Sequence, residues 1–482
     1  MKKIVLIAIL FLAFTLRLYR INFPLADWHS WRQADTAAVS RNFVKYGLDL
    51  LHPRFDDLSN VASGKENPEG YRFVEFPIYN AIHALVYKLF PFWSLEMWGR
   101  LISVLFSLIS LVFLFLIVEN FLNTQIALLS AFFFAILPFN IYYSRVILPE
   151  PMMVMTTLGI IYSTVKVLGD YELRITNFYL ILGIIFAAIS FLLKPYSLVF
   201  VLPIFYLCWR KWRFNYLKWI IFFLCFFFSL LPFLWWRWWM SHYPEGIPVY
   251  SWLFNEGGIR FKGAWFYWLF ADRLGRLILG YWGLPLFVLG LIVKPTRKEG
   301  LFFYSWLMAI LAYFVIIAGG NVRHDYYQVL AVPIICIFLA KSTYFLLFAI
   351  SKESYSQILT RILAVICILF MVAFSWYYVR DFFNINNSAI VEAGKSADRL
   401  LPAEAKVIAP YGGDTSFLYQ TNRRGWPIGI EIEKFIDLGA QYYVNVNIND
   451  SEVKWLMEKY CVIQKTAQWI IIDLRKHCIF QE

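Results

Sequence analysis

Hydrophobic residues along the chain gather into long apolar runs separated by short polar segments. The runs fall at 3–19, 98–118, 125–143, 150–168, 178–193, 196–208, 217–236, 280–293, 301–318, 326–350 and 360–379. Most approach or exceed the ~18–20 residues that cross a hydrocarbon core; 196–208 and 280–293 are short. The pattern predicts eleven transmembrane helices. The amphipathic stretch "FPIYNAIHALVYKLF" (76–90) reads instead as a helix lying in the membrane interface. From about residue 381 the pattern changes. Short β-rich runs ("AKVIAP", "QYYVNVN", "WIIIDL") alternate with helical ones ("VKWLMEKY"), which predicts a small α/β domain.

Composition agrees with a membrane protein. The chain is 60% hydrophobic and 16% charged, against about a quarter charged in soluble domains. The N-terminal "MKKIVLIAILFLAF" lacks a small-x-small cleavage site, so an uncleaved first helix is expected. Lys2 and Lys3 place the N-terminus inside. Counting eleven spans then puts "WRKWRFNYLK" (209–218), "KPTRKEG" (294–300) and "SKESYSQILTR" (351–361) inside too. These are the basic short loops, as the positive-inside rule requires, and the spans were assigned without reference to charge. The net charge of +12 therefore marks cytoplasmic loops rather than nucleic-acid binding. The expected domains are 1–380, a membrane domain whose first external loop (19–97) carries interfacial helices, and 381–482, an extracytoplasmic α/β domain. Cys461 and Cys478 lie in that tail, where an oxidising compartment would permit pairing.

The topology sorts the polar motifs by side. "DWHSWRQAD" (27–35), "YYSRVILPEP" (142–151), "LLKPY" (192–196) and "GGNVRHDYY" (319–327) all fall on the outer face. Ionisable groups at membrane level are costly and mark a pathway or a site by default. Arg145, Lys194 and Arg323 stand at or beside span ends, where a guanidinium fork or an ammonium suits a lipid-linked phosphate. Asp27, Asp35, Glu75 and Glu150 supply carboxylates for a general base or for binding sugar hydroxyls. Trp28, Trp31 and the aromatic loop "WWRWWMSHYPEGIPVYSWLF" (235–254) offer faces for sugars. Taken singly, an Arg or Lys at a span end snorkels to the interface, and a Trp there belongs to the aromatic belt. Asp56-Asp57 in "RFDDLSN" reads as a solvated loop rather than a metal-binding DxD. The functional signal is the collection of four motifs on one face. Lipid phosphate, base and aromatics together suggest glycosyl transfer from a polyprenyl-phosphate sugar.

Several segments resemble a known family: "HSWRQADTAAVSRNF", "EFPIYNAI", "YYSRVILPEP", "LLKPYSLVFVLP", "VRHDYYQVLAVP" and, in the tail, "DTSFLYQTNRRGW". In order and spacing they look like the bacterial GT-C membrane glycosyltransferases related to glycosyltransferase family 39. That group includes protein mannosyltransferase-like proteins, aminoarabinose transferases and rhizobial lipopolysaccharide core transferases. The resemblance implies an inverting transferase with an Asp of the first external loop as base. Many relatives have an Asp-Glu pair there; this chain has Arg32-Gln33-Ala34-Asp35, with Asp27 eight residues earlier. Asp35 is the first choice and Asp27 the second. Glu75 matches the acid before the helix-starting proline, but Phe76 replaces the adjacent basic residue. Arg145 and Glu150 match the loop between spans 3 and 4, and Lys194 the following turn. Arg323 with His324 matches the basic residue before the Tyr-Tyr span and is the first choice for phosphate. His29 and Arg32 are further substrate-binding candidates.

The expected partners are a polyprenyl-phosphate sugar donor, a lipid, glycan or protein acceptor, and the bilayer, with no nucleic acid. No cofactor is expected; a divalent cation is left open, since no ligand cluster implies a strict metal requirement. The expected location is the plasma (inner) membrane. Two rival readings are a transporter or flippase of lipid-linked sugars and an O-antigen ligase-like enzyme. The first predicts mid-span polar residues or half-to-half symmetry; the second predicts key cations in one large external loop late in the chain. Neither pattern stands out.

Overall fold

A computed structural model describes residues 1–169, 177–349 and 354–478. The end of the predicted span 326–350 and the start of the basic loop 351–361 lie outside the described residues. The chain divides into two compact units. One comprises Met1–Ile21, Leu101–Arg237 and Tyr250–Asp381; the other comprises Asn22–Arg100, Trp238–Val249 and Phe382–Glu482.

In chain order the first ten α-helices are α1 (Lys2–Arg17), α2 (Ser30–Tyr46), α3 (Ile78–Leu89), α4 (Leu95–Phe121), α5 (Thr124–Ile136), α6 (Pro138–Tyr143), α7 (Glu150–Gly169), α8 (Phe178–Leu193), α9 (Val201–Trp212) and α10 (Tyr216–Met240). Among the described residues, five helical stretches are long and apolar enough to cross a membrane: 95–121, 150–169, 216–240, 325–348 and 357–400. Three shorter apolar helices accompany them, at 124–136, 178–193 and 302–316.

Prolines punctuate the first unit. The run 125–143 is broken at Leu137, where Pro138 cannot continue the ladder, so α5 ends and α6 begins. The carbonyls freed at the end of α5 need donors. Arg17, fully buried, supplies them: its guanidinium donates to Ala135 O at 3.1 Å, Phe134 O at 3.2 Å and Ser144 Oγ at 2.6 Å. A break also occurs at Lys194-Pro195, where α8 gives way to a short 3-10 turn and then α9. The stretch 325–348 is the most enclosed of the five long helices. Gly290 of helix Leu284–Ile292 lies flush against it, since a Cβ there would fall 2.0 Å from Phe338 O. Small residues allow such close helix approach where no hydrophobic force separates protein from lipid.

The second unit carries a five-stranded sheet of order β2-β1-β3-β5-β4. The strands are β1 (Lys406–Ile408), β2 (Arg424–Trp426), β3 (Tyr442–Asn445), β4 (Tyr460–Lys465) and β5 (Ile470–His477). β1 pairs in parallel with β2 and β3, and β5 runs antiparallel to β3 and β4. Side chains alternate between faces. Tyr442, Val444 and Ile471 join Ile390, Ala397 and Phe417 in one core. Ile408, Tyr443, Ile470 and Ile472 join Phe435, Val453 and Leu456 in the other. Cys461 and Cys478 are bridged, with Cα atoms 4.9 Å apart.

The "RFDDLSN" segment is not the solvated loop expected from sequence. Its backbone extends the sheet: Gly425 N donates to Asp56 O at 2.9 Å and Leu58 N to Gly425 O at 2.8 Å. Asp56 and Asp57 are both buried. Asp56 is ion-paired with Arg41, and Asp57 accepts from Ser59 N at 2.7 Å. The sheet edge at β2 has unmet backbone groups, and this segment satisfies them.

Candidate active site

In the second unit, the polar stretch that follows the first apolar run becomes the start of α2. Trp28 stacks on Phe382, with ring centroids 4.8 Å apart. His29 takes the left-handed conformation (φ 54°) at the N-cap of α2. A non-glycine residue pays a steric penalty there. Asp27, just before this turn, is buried; its Oδ1 accepts from Gln33 Nε2 at 2.8 Å, and Oδ2 lies 3.6 Å from Arg100. Asp35, one turn into α2, is also buried. Its Oδ2 accepts from Arg72 Nη2 at 2.5 Å and its Oδ1 from the Thr415 hydroxyl at 2.7 Å. Arg32 Nη2 lies 2.8 and 2.9 Å from the two oxygens of Glu75. The candidate acid and base residues of this unit are therefore embedded in matched cation–carboxylate pairs.

Two further acids stand near Asp35. Burial pushes the Asp57 carboxyl up to about 6, the Asp35 charge adding to this while Ser59 and Arg72 oppose it. Burial raises Asp414 as well, again with Asp35 contributing. Desolvation disfavours the charged carboxylate, and a like charge nearby acts in the same direction.

In the first unit, three of the polar motifs assigned from sequence to the outer face meet. Glu150 is the first residue of α7 and Lys194 the C-cap of α8. Both are buried, and Lys194 Nζ lies 3.2 Å from Glu150 Oε1. A helix N-terminus favours a carboxylate. Tyr143 donates to the buried carboxylate of Asp325. Tyr196 packs between Tyr313 and Tyr327, at ring separations of 5.0 and 5.8 Å. Arg145 is buried and donates to the carbonyls of Tyr19 and Arg20, closing the end of the turns that follow α1. Arg323 is half exposed and ion-paired with Glu256, its guanidinium 5.3 Å from the centre of the Trp252 ring. His324 lies against Trp252 and Tyr326.

Sequence reasoning passed over Asp272, Arg273 and Arg276. Asp272 pairs with both arginines, at 2.7 and 2.6 Å, and Arg273 donates to Val322 O at 3.1 Å. The signal was present: three charges within five residues of an otherwise apolar, aromatic stretch. Arg72 was passed over too, and nothing local marked it; Thr415 lies in the "DTSFLYQTNRRGW" segment but was given no role there. Among the described residues, no group of three or more His, Cys, Asp or Glu side chains is placed to hold a metal ion.

Comparison with known proteins bears out the resemblance. Residues 74–239 match the family described as Dolichyl-phosphate-mannose-protein mannosyltransferase. No curated protein matches in sequence. ArnT from Cupriavidus metallidurans, solved bound to undecaprenyl phosphate, superposes with a TM-score of 0.67 at 11% identity, covering 97% of both chains. Its apo form gives 0.68, with the same identity and coverage. The oligosaccharyltransferase AglB from Archaeoglobus fulgidus, in complex with an inhibitory peptide and a dolichol-phosphate, gives 0.59 at 10% identity, over 96% of this chain and 73% of its own. The protein has the GT-C glycosyltransferase fold.

Proposed function

We propose that the protein is an inverting glycosyltransferase that moves a sugar from a polyprenyl phosphate to a hydroxyl of an extracytoplasmic acceptor. The observation that carries the reading is the gathering of Glu150, Lys194 and Asp325 as buried ionisable groups at the ends of apolar helices. Such groups persist at membrane level where they serve a substrate. The match to the mannosyltransferase family and the likeness to ArnT solved with undecaprenyl phosphate support a lipid-phosphate donor.

In this reading Lys194 and Arg323, with Arg145 and His324 near the same motifs, bind the donor phosphate. A carboxylate of the first loop, Asp35 or Asp27, removes the proton from the acceptor hydroxyl. The acceptor oxygen bonds to the anomeric carbon as the bond from that carbon to the phosphate oxygen breaks. The electron pair leaves on the lipid phosphate, where cations already stabilise it, so no strong general acid is needed. Single displacement inverts the anomeric centre. His29, Arg32, Glu75 and Glu150 orient donor or acceptor directly or through their ion pairs.

The same proposal includes eleven spans in the inner membrane, a cytoplasmic N-terminus and an extracytoplasmic domain over 381–482. The Cys461–Cys478 bridge favours an oxidising compartment for that tail. Purified protein supplied with labelled undecaprenyl-phosphate sugars and lipid, glycan or protein acceptors should transfer label to one acceptor class with inverted configuration. Saturable lipid transport without transfer or hydrolysis of any donor would replace this reading with a transporter.

A further inference from the structure

In the first unit a furrow runs among α7, α8, α9 and α10. It holds about 800 Å³ of atom-free space, its open mouth included, and its walls are almost wholly apolar. Small side chains open it: Gly183 and Ala187 on α8, Cys225 and Ser229 on α10. One wall follows α8 from Tyr179 to Phe191, and another follows α9 from Val201 to Trp212. At 1.5 Å per residue each is about 17–18 Å long, a little more than one leaflet, which is half of the ~30 Å hydrocarbon core. That length suits an acyl chain; an undecaprenyl chain is far longer. The fourth wall is barely held by protein: 6% of the most apolar stretch of α10 is buried, against 67% for α7. Atoms that line an empty gap forfeit their contacts, so a furrow of this kind in a bilayer takes up a chain.

The two ends of the furrow differ in charge. Beyond Phe191 the first cation on α8 is Lys194, buried and paired with Glu150 at 3.2 Å. At the Trp212 end, Lys211 follows the lining Cys208 by three residues, and Lys218 precedes the lining Ile221 by three. Residues three apart share a helix face, so both lysines stand on the furrow side. Lys211 is exposed and Lys218 partly buried. Arg213, exposed, lies between them, and Lys166 of α7 adjoins the lining Val167. By sequence the segment 170–176 adds Asp170, Glu172 and Arg174, which does not offset these four cations. Trp209, Trp212 and Trp219 cluster at the same end, Trp212 and Trp219 with ring centroids 5.8 Å apart. Such a belt marks headgroup depth. An apolar slot of one leaflet's length that ends in cations is complementary to an anionic lipid of that leaflet.

We propose that the furrow is a site for one anionic glycerophospholipid, with an acyl chain along α8 and α9 and its phosphate against Lys211 and Lys218. In the topology proposed above this is the cytoplasmic leaflet, at the opposite end of α8 from Lys194. The lipid is a structural ligand that fills the gap beside α10, not a substrate.

The test needs no turnover. Full-length protein stripped of lipid in detergent is titrated with dioleoylphosphatidylglycerol, dioleoylphosphatidylcholine or undecaprenyl phosphate, and followed by native mass spectrometry and thermal unfolding. Phosphatidylglycerol should be retained as a single molecule per chain and should raise the unfolding temperature; phosphatidylcholine should do neither at the same concentration. Lys211→Gln with Lys218→Gln should weaken phosphatidylglycerol by about 25-fold, about fivefold for each cation near a membrane surface. Lys294→Gln with Arg297→Gln, which removes the same charge from another basic loop, should leave retention unchanged. Cys225→Trp, which fills the furrow from α10, should abolish retention; the surface lysine pair decides the matter if that variant unfolds. Equal retention of phosphatidylcholine, or equal losses in the two charge pairs, would overturn the site in favour of a general lipid shell. Displacement of phosphatidylglycerol by undecaprenyl phosphate, with Cys225→Trp weakening the latter, would give the furrow to the donor chain and overturn the proposal too. None of these outcomes depends on whether sugar transfer is observed, so failure of the glycosyltransferase reading is told apart from failure of this one.

Discussion

Arg32 and Glu75 stand 43 positions apart in sequence and meet as an enclosed ion pair, one guanidinium nitrogen 2.8 and 2.9 Å from the two carboxylate oxygens. Both side chains are at least nine-tenths buried. Removing one partner strands a charge, which costs about 3–5 kcal/mol, whereas replacing both with apolar residues costs far less. Arg32→Met and Glu75→Leu should each lower the unfolding temperature in detergent markedly, and the double variant should recover much of the loss. Additive losses in a double-mutant cycle would show that the pair is not coupled.

The Lys194–Glu150 pair makes a different prediction, because Lys194 is proposed to meet a phosphate. Lys194→Gln should weaken undecaprenyl phosphate binding by about tenfold, roughly 1.4 kcal/mol. Glu150→Gln should strengthen it, since the ammonium no longer shares its charge with a carboxylate at 3.2 Å. Equal affinity in all three proteins, measured by titration with the lipid, would remove Lys194 from the phosphate site.

Asp57 gives a pH signature. Burial raises its carboxyl from the ordinary 3.8 to about 6. Folding therefore favours the protonated form. Its stabilising contribution is complete below about pH 3.8 and is lost as pH rises through 6, an effect of about 3 kcal/mol. Asp57→Asn keeps an acceptor for Ser59 N and does not ionise. The variant should gain on the parent in unfolding temperature between about pH 4 and pH 6 and hold that gain above it. A variant that falls behind over that interval would show that the charged form is the favoured one.

The Cys461–Cys478 bridge closes a loop of 17 residues, worth about 3 kcal/mol through the unfolded chain. Reduction, or Cys461→Ser with Cys478→Ser, should lower the unfolding temperature of the tail while its far-ultraviolet spectrum stays native at low temperature. An unchanged melting profile after reduction would contradict this.

Much of the architecture is legible in sequence because it follows from local physics. Apolar runs long enough for a bilayer become helices whatever they pack against. Asn177 caps α8 with its own side chain, at 2.9 Å from Tyr179 N, and Pro138 and Pro195 break helices through their missing N–H. The strands β1, β3 and β5 stand out as β-branched and aromatic runs. β2 is three residues long and contains Gly425, and β4 lacks a clean alternation, so neither announces itself.

The site divides along the same line. Sequence by itself determined which residues carry the charges and which motifs border the membrane, because ionisable groups beside apolar runs are conspicuous and few. It did not determine their states. Nothing near Arg32 in sequence announces the Glu75 carboxylate that pairs with it, and Asp56-Asp57 looks solvated until the edge of β2 is found to need a partner. Nothing in the sequence around Asp35 shows that Thr415, 380 residues later, and Arg72 stand on its two oxygens. A carboxylate's role depends on the donors around it. Those donors come from segments distant in the chain, so only the tertiary structure decides which partners each carboxylate has.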